Sequence, residues 1–438
     1  MFLRLVERLF VIALLLYSMG VVTGLTSPYL TADDLENVST DLHVPIVAAQ
    51  IALYTCAALL ILMRWKRVLG AARTVWPILL LTALVPLSAA WSVLPEVTLR
   101  RSALFGASTL IAIYLGERYT MDKFARLLAQ TICLMMIAVI VLYFIAPAYV
   151  IDPSYARAWK GLSARKNIFG EYMAVAVMLL LLVRFRQLQW LRFGFLGMAC
   201  ILLFFSHSAT ALVTCAMVVA AMPLWRLARL EGKQRVPVYI VGALVFLQAG
   251  YFLARNTALL LQMVGRDPTF TGRTKVWAMV LTAIQKRPFL GYGYDSFWTG
   301  LKGESLDILL GTGWLVPSAH NGFLDLGLSL GLLGSCVFLY VFVQSFRRGI
   351  EYIRSEPGPL GFWPVTYFCF FVLHNMSESD LLTRSTLSFL TFVTISTALA
   401  LNRQNSVAQI DLGDTSSSRL ASFNRRSRPF RARQPAHV

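Results

Sequence analysis

Charge is scarce in this chain. Of its 438 residues only 14% are Asp, Glu, Lys or Arg, and only 22 are acidic. Soluble domains carry about 25% charged residues, so a globular protein with a water-facing surface is excluded. Cysteine is equally uninformative as a scaffold. All six (Cys56, Cys133, Cys200, Cys215, Cys336 and Cys369) lie inside apolar stretches, and no spacing resembles a disulfide framework or a metal site. No internal repeat is present. The first apolar segment, 5–25, runs into "GLTSPYLTADDLE" without an A-x-A cleavage pattern, so it is expected to be a retained helix and not a signal peptide.

What the chain has instead is apolar length. Hydrophobic residues make up 57% of it, in runs that recur almost throughout. Roughly 20 apolar residues cross a bilayer core as a helix, and in lipid the backbone must satisfy itself internally. The fold class is therefore an all-α polytopic membrane protein. About twelve transmembrane helices are expected, at 5–25, 43–63, 75–91, 101–117, 124–145, 167–184, 190–206, 209–225, 237–254, 321–345, 360–376 and 385–401. A net charge of +18 would point to nucleic acid in a soluble protein. Here the basic residues sit between apolar runs, where the topology rule accounts for them and no nucleic-acid partner is expected.

Taking connections alternately, one side receives "RWKRVLGAAR", "ERYTMDKFAR", "RFRQLQWLR", "RLARLEGKQR", "FRRGIEYIR", Arg4, Arg8 and the tail. That set holds 26 of the 40 basic residues, which makes it the cytoplasmic side with both termini inside. The other side is the outside, which is the periplasm in a Gram-negative cell. It receives one large loop, about 255–320, expected to contain short helices. An integral membrane domain thus covers 1–401, and 402–438 reads as a disordered basic cytoplasmic tail.

External cations run against the topology bias and need a reason. They gather in "YARAWKGLSARKNIFGEY" (Arg157, Lys160, Arg165, Lys166) and in the long loop (Arg255, Arg266, Arg273, Lys275, Lys286, Arg287). Within the loop, "TGRTKVWAMVLTAIQKRP" reads as an amphipathic helix. Thr271 is its N-cap, and Val276, Trp277, Val280, Leu281 and Ile284 form its apolar face. Arg273 then lies in the first turn, where a planar guanidinium and the helix dipole both favour a diphosphate. The alternative is a plain ion pair with Asp267 or Asp295. His320 starts the next apolar run, in "AHNGFLDLGLSLGLLG". It is either a structural hydrogen-bonder or a general base at the water–lipid boundary. Trp298, Trp314 and Tyr294 nearby are suited to stacking on sugar rings.

Several stretches resemble the O-antigen ligase and exopolysaccharide polymerase superfamily of bacterial membrane glycosyltransferases. These are "SAAWSVLPEVTLRRS" (88–102), "WKGLSARKNIFG" (159–170), "SHSATALV" (206–213), the Arg273-to-His320 core, and "NMSESDLL" (375–382). The resemblance spans about residues 85–400. It implies metal-independent, inverting transfer of a glycan from undecaprenyl diphosphate to an acceptor sugar hydroxyl, with no cofactor and no metal site. His320 would be the catalytic base, and Arg273 the diphosphate-binding cation. Arg165 and Lys166 would be the second basic contact, with Asn167 and Asn321 orienting partners.

The family's ligases carry an arginine in or just after the paired-serine element, and "SHSAT" has none; His207 or Lys166 would have to compensate. This favours a polymerase of exopolysaccharide or O-antigen repeats over a ligase that loads lipid A-core. The acceptor would be a lipid-linked oligosaccharide in the first case and lipid A-core in the second; other polysaccharide-assembly proteins are conceivable partners. A lipid-glycan transporter is the distant alternative. It would place ionisable residues in mid-helix or broken helices near the bilayer midplane, and the twelve runs show almost none.

Overall fold

The computed structural model describes residues 2–26, 44–152, 155, 158–185, 189–230, 273–298, 303–314 and 316–403. Helices dominate: α1 Phe2–Ser18, α2 Val21–Thr26, α3 Val44–Met63, α4 Trp65–Thr74, α5 Trp76–Leu87, α6 Pro95–Arg118, α7 Met121–Ile145, α8 Lys166–Leu182, α9 Gln189–Phe205, α10 Ala209–Ala221, α11 Arg273–Lys286, α12 Glu304–Thr312, α13 Gly322–Ser355 and α14 Trp363–Asn375. A last helix, α15, covers Leu387–Arg403. Local sequence sets many of the ends. Pro95 opens α6, where a missing N–H costs nothing. Ser208 caps α10 by accepting from Ala211 N.

A helix lies on each of the expected apolar runs within the described residues; the run at 237–254 lies outside them. Among the described residues, four helices are long and apolar enough to cross a bilayer, namely Val44–Met63, Met121–Ile145, Ala209–Arg229 and Gly322–Ser355. The bent pair Trp65–Thr74 and Trp76–Ala90, meeting at 94°, brings this to at most five. This is an all-α membrane protein. Several of the remaining runs fold as shorter or interrupted helices, such as Gln189–Phe205 and Leu387–Arg403. The long loop does hold short helices, α11 and α12. On α11 the buried face is Val276, Val280 and Ala283, while Leu281, expected on that face, is exposed. The expected cap Thr271 lies outside the described residues.

One feature welds α11 to α13. At Gly331 the backbone of α13 leaves helical geometry (φ 61, ψ −156). The turn after α11 fills the break. Tyr292 N donates to Leu328 O (2.7 Å), Gly293 N to Ser329 O (3.1 Å), Leu332 N to Pro288 O (2.8 Å) and Leu333 N to Phe289 O (3.1 Å). Backbone groups freed by the break are thus re-satisfied, as an apolar interior demands. A Cβ at Gly331 would lie 2.4 Å from Phe289 C, in a left-handed conformation that only glycine adopts without cost. Gly331→Val is therefore expected to cost roughly 3 kcal/mol or more, read as a fall in the melting temperature of the detergent-solubilised protein. Gly70→Ala, with nothing within 4 Å of the added carbon, should leave it level or slightly higher.

The same turn docks on the segment before α6. Val93 N donates to Tyr292 O (3.0 Å), Trp91 Nε1 to Leu290 O (2.8 Å), and Thr98 Oγ1 to Tyr294 O (3.0 Å). At the far end of α6 a different set of charges meets, with Arg64 on Glu117 (2.8 Å) and Arg118 on Glu7. The polar groups of the bundle therefore sort to its two ends, and the segments singled out in the sequence share one of them.

Candidate active site

The segment 377–380, Ser-Glu-Ser-Asp, gathers that end together. It follows α14, and its residues between them reach α8, α10, α11 and the start of α13. Arg273, the first residue of α11, donates through Nη1 to Ser377 O and through Nη2 to Glu378 Oε1 (3.1 Å). Asn167, in the first turn of α8, donates Nδ2 to the same Oε1 (2.8 Å). Gly322 N, at the start of α13, donates to Glu378 O (2.9 Å). Ser379 Oγ accepts from Asn321 N (3.0 Å) and donates to Asp325 Oδ2. Ser377 Oγ lies 3.2 Å from Thr210 Oγ1 of α10. Motif stretches separated by up to two hundred residues are thereby brought within one hydrogen-bonded cluster.

His320 sits between these anchors. Its φ of +48 is in the left-handed region, a strained conformation costing on the order of 1–3 kcal/mol outside glycine. Both neighbours hold it there. Ala319 O accepts from Trp277 Nε1 (2.8 Å), and Ala319 N donates to Asp325 Oδ1 (3.1 Å). Asn321 caps α13, its Oδ1 accepting from Phe323 N (3.0 Å) and Leu324 N (3.2 Å) while its Nδ2 donates to Met376 O (3.0 Å). The His320 ring faces Trp314, centroids 6.4 Å apart and planes 30° from each other.

Burial, then the charges of Arg273 and Arg165, push the His320 pKa down to about 3. The ring is thus neutral at pH 7, as a base must be. An unfolded histidine titrates near 6.5, so below that pH the unfolded chain takes up a proton that the folded chain refuses. This contribution is complete above about pH 6.5 and is lost as the pH falls toward 3. The melting temperature should therefore drop between pH 6.5 and 4, and drop less in His320→Gln; equal slopes would remove His320 from the acid response.

Other residues singled out from sequence find different places. Arg165 precedes α8 in extended geometry, and its charge is felt at both His320 and Asp380. Lys166 lies over the Tyr155 ring, 3.4 Å from its centroid, a cation–π contact. Arg273 is in an ion pair, but its partner is Glu378. Asp295, one of the two expected acids, is instead held by Arg101 (3.2 Å) and Arg384, and Asp267 lies outside the described residues. Tyr294 is no sugar platform: it is buried, and its hydroxyl donates to Leu382 O (2.8 Å). Trp298 donates Nε1 to Asp325 Oδ1 (2.8 Å), which leaves Trp314 as the aromatic face beside His320. Ser206 and Ser208 pack where a Cβ on Gly170 would meet them at 2.8 and 2.7 Å. The paired-serine element therefore seats α8 against α10, and His207 beside it is exposed.

Sequence reasoning missed a second cluster. Glu171 of α8, His374 of α14 and Asp380 place one donor atom each within 4.8 Å of one another. His374 Nε2 is 3.8 Å from Glu171 Oε2 and 3.9 Å from Asp380 Oδ2. Both ring nitrogens are buried without a hydrogen-bond partner. Two carboxylates this close cannot both ionise cheaply. Burial and then Glu378 raise the Asp380 pKa to about 7, against a smaller opposing pull from Arg165. This donor set is chemically able to hold a metal ion, although no metal site was expected. The expectation of almost no broken helices is corrected by α13, which breaks at Gly331 inside the expected run 321–345, whereas the ionisable groups of this cluster are not in mid-helix. Glu171 and His374 lie inside two of the apolar runs, at the ends nearest segment 377–380.

Comparison with known proteins bears on this arrangement. Residues 193–339 match the O-Antigen ligase family, a stretch that includes α11, His320 and the first half of α13. The chain is also similar to the exopolysaccharide production protein ExoQ of Rhizobium meliloti (strain 1021). The two are 24% identical over 320 residues, covering 68% of this chain and 70% of that protein. The family match and the relative together support the O-antigen ligase and polymerase superfamily, on its exopolysaccharide branch.

Proposed function

We propose that the protein is an inner-membrane glycosyltransferase that polymerises lipid-linked oligosaccharide repeats on the periplasmic face. The donor is a glycan on undecaprenyl diphosphate, and the acceptor is a sugar hydroxyl on a second lipid-linked chain. The observation that carries this reading is the convergence, through segment 377–380, of a neutral histidine with the Arg273 and Asn167 elements at one end of an apolar bundle. One substrate is a lipid and the other comes from water, so a base and anion-binding groups are needed at that boundary.

In the reaction, neutral His320 takes the proton of the acceptor hydroxyl as its oxygen attacks the donor's anomeric carbon. The bond from that carbon to the diphosphate breaks on the opposite face, so configuration inverts. Arg273 and Arg165 meet the charge that develops on the departing diphosphate. Lys166 stands beside Arg165 as a further cation. Asn167 and Asn321 act through the elements they hold, the first on Glu378 and the second as the cap of α13. None of these steps uses a metal ion. Twelve spans with both termini cytoplasmic would place this end of the bundle outside, where finished repeats are available.

The test is reconstitution of the full chain in lipid with a synthetic undecaprenyl-diphosphate oligosaccharide and EDTA, with and without rough-type lipopolysaccharide. A ladder of repeats without lipopolysaccharide supports the polymerase. Transfer only when lipid A-core is present would make the protein a ligase instead. No product in either tube, from folded protein, would sink glycosyl transfer and bring transport forward.

A further inference from the structure

Glu378 presents a puzzle for the site just proposed. A carboxylate beside a cation meant for diphosphate repels the ligand, and nothing in the transfer reaction calls for a third titratable group there. Its geometry gives it another task. A single oxygen, Oε1, accepts from Arg273 Nη2 at 3.1 Å and from Asn167 Nδ2 at 2.8 Å. Both members of the ion pair are largely withdrawn from solvent, with 13% of the Arg273 side chain and 11% of the Glu378 side chain exposed. The backbone of the same residue accepts from Gly322 N, two positions after His320.

We infer that Glu378 is a positioning residue, whose carboxylate oxygen fixes the Arg273 guanidinium relative to α8 and to the His320 turn. The inference rests on the proposed reading that Arg273 meets the departing diphosphate. Arginine has many rotamers, and an unheld guanidinium on the first residue of α11 would sample many poses. Glu378 and Ser377 O engage two N–H groups, one on each terminal nitrogen of the fork. Guanidinium carries five N–H donors, so the remaining ones keep a fixed direction toward a ligand. Orientation set in advance is what transition-state binding of a leaving group needs.

A purely structural role would act through folding, and a role in proton transfer would depend on the carboxylate's charge. A positioning role depends on neither, only on an acceptor oxygen at that place. The experiment uses the full chain in lipid nanodiscs and measures steady-state transfer from undecaprenyl-diphosphate oligosaccharide. Variants are Glu378→Ala, Glu378→Gln, Arg273→Lys and the Arg273→Lys/Glu378→Ala double, with Arg273→Ala as the control on the site itself.

Glu378→Ala is expected to lose roughly 100-fold in kcat, the scale of a misplaced catalytic group, with donor KM changed less than about threefold and a lowered melting temperature, as for a largely buried ion pair that loses one partner, in a protein still folded at the assay temperature. Glu378→Gln, whose amide oxygen accepts the same two N–H groups, should recover to within about fivefold of wild type. Glu378→Ala should add almost nothing on top of Arg273→Lys, the coupling expected of residues acting as one unit. Losses that simply add, a glutamine as damaged as the alanine, or full activity in Glu378→Ala would each overturn the inference. Full activity in Arg273→Ala would overturn it differently, by removing the proposed diphosphate site. A damaged Arg273→Ala beside an active Glu378→Ala would leave that site standing and remove only Glu378's part in it.

Discussion

His320→Ala is expected to lower transfer by about three orders of magnitude, the middle of the range for a lost general base, while the protein still inserts and folds. No neighbour can replace the ring. Trp314 faces it at a tilt and has no basic atom, and Asp325 is committed to Ala319 N, Trp298 and Ser379. The substitution removes no buried apolar contact of consequence and leaves the backbone anchors on Ala319 and Asn321 in place. The measurement is polymer yield from equal amounts of membrane-inserted protein, with folding checked by melting temperature. Near-normal yield from well-inserted His320→Ala would end the assignment.

Arg273→Ala carries the next largest expectation, a loss of roughly 10²–10³ in kcat, as for removal of one preorganised donor to a developing anion. It should leave the buried Glu378 carboxylate accepting only from Asn167, so part of the damage will be structural. Arg273→Lys separates the two effects. It keeps the charge but loses the fork that reaches Ser377 O and Glu378 together, so an activity closer to alanine than to wild type would show that planar geometry matters more than charge. Steady-state rates at saturating donor decide this; equal rates in wild type and lysine variant would mean a bare positive charge suffices.

Much of this was readable before any coordinates. Apolar runs placed the helices because lipid leaves a backbone few alternatives. Arg273 and His320 stood out because each begins a helix after a polar segment, and the structure brings both elements to the same cluster. The partners of these residues were hidden for a physical reason. Glu378 lies 105 positions from Arg273, and local patterning offers Asp267 and Asp295 as readier candidates; only the return of α14 brings the distant acid in. Glu171 and His374 were masked by their surroundings, since one ionisable residue hardly disturbs an apolar run of helical length. Tyr294 misled in the opposite direction. Its Gly-Tyr-Gly-Tyr setting reads as an exposed aromatic turn, but the broken helix at Gly331 draws that turn inside.

The two arginines flanking His320 have a consequence for timing. Burial first, and then their positive charge, keep the imidazole a feeble proton acceptor in the resting protein. A diphosphate arriving on the proposed site would cancel that charge and make the same ring a stronger acceptor. The donor itself would then strengthen the base, so an acceptor or a stray water entering first would meet a weaker one. Such a protein would favour one order, donor before acceptor, and would waste little of its lipid-linked substrate on hydrolysis.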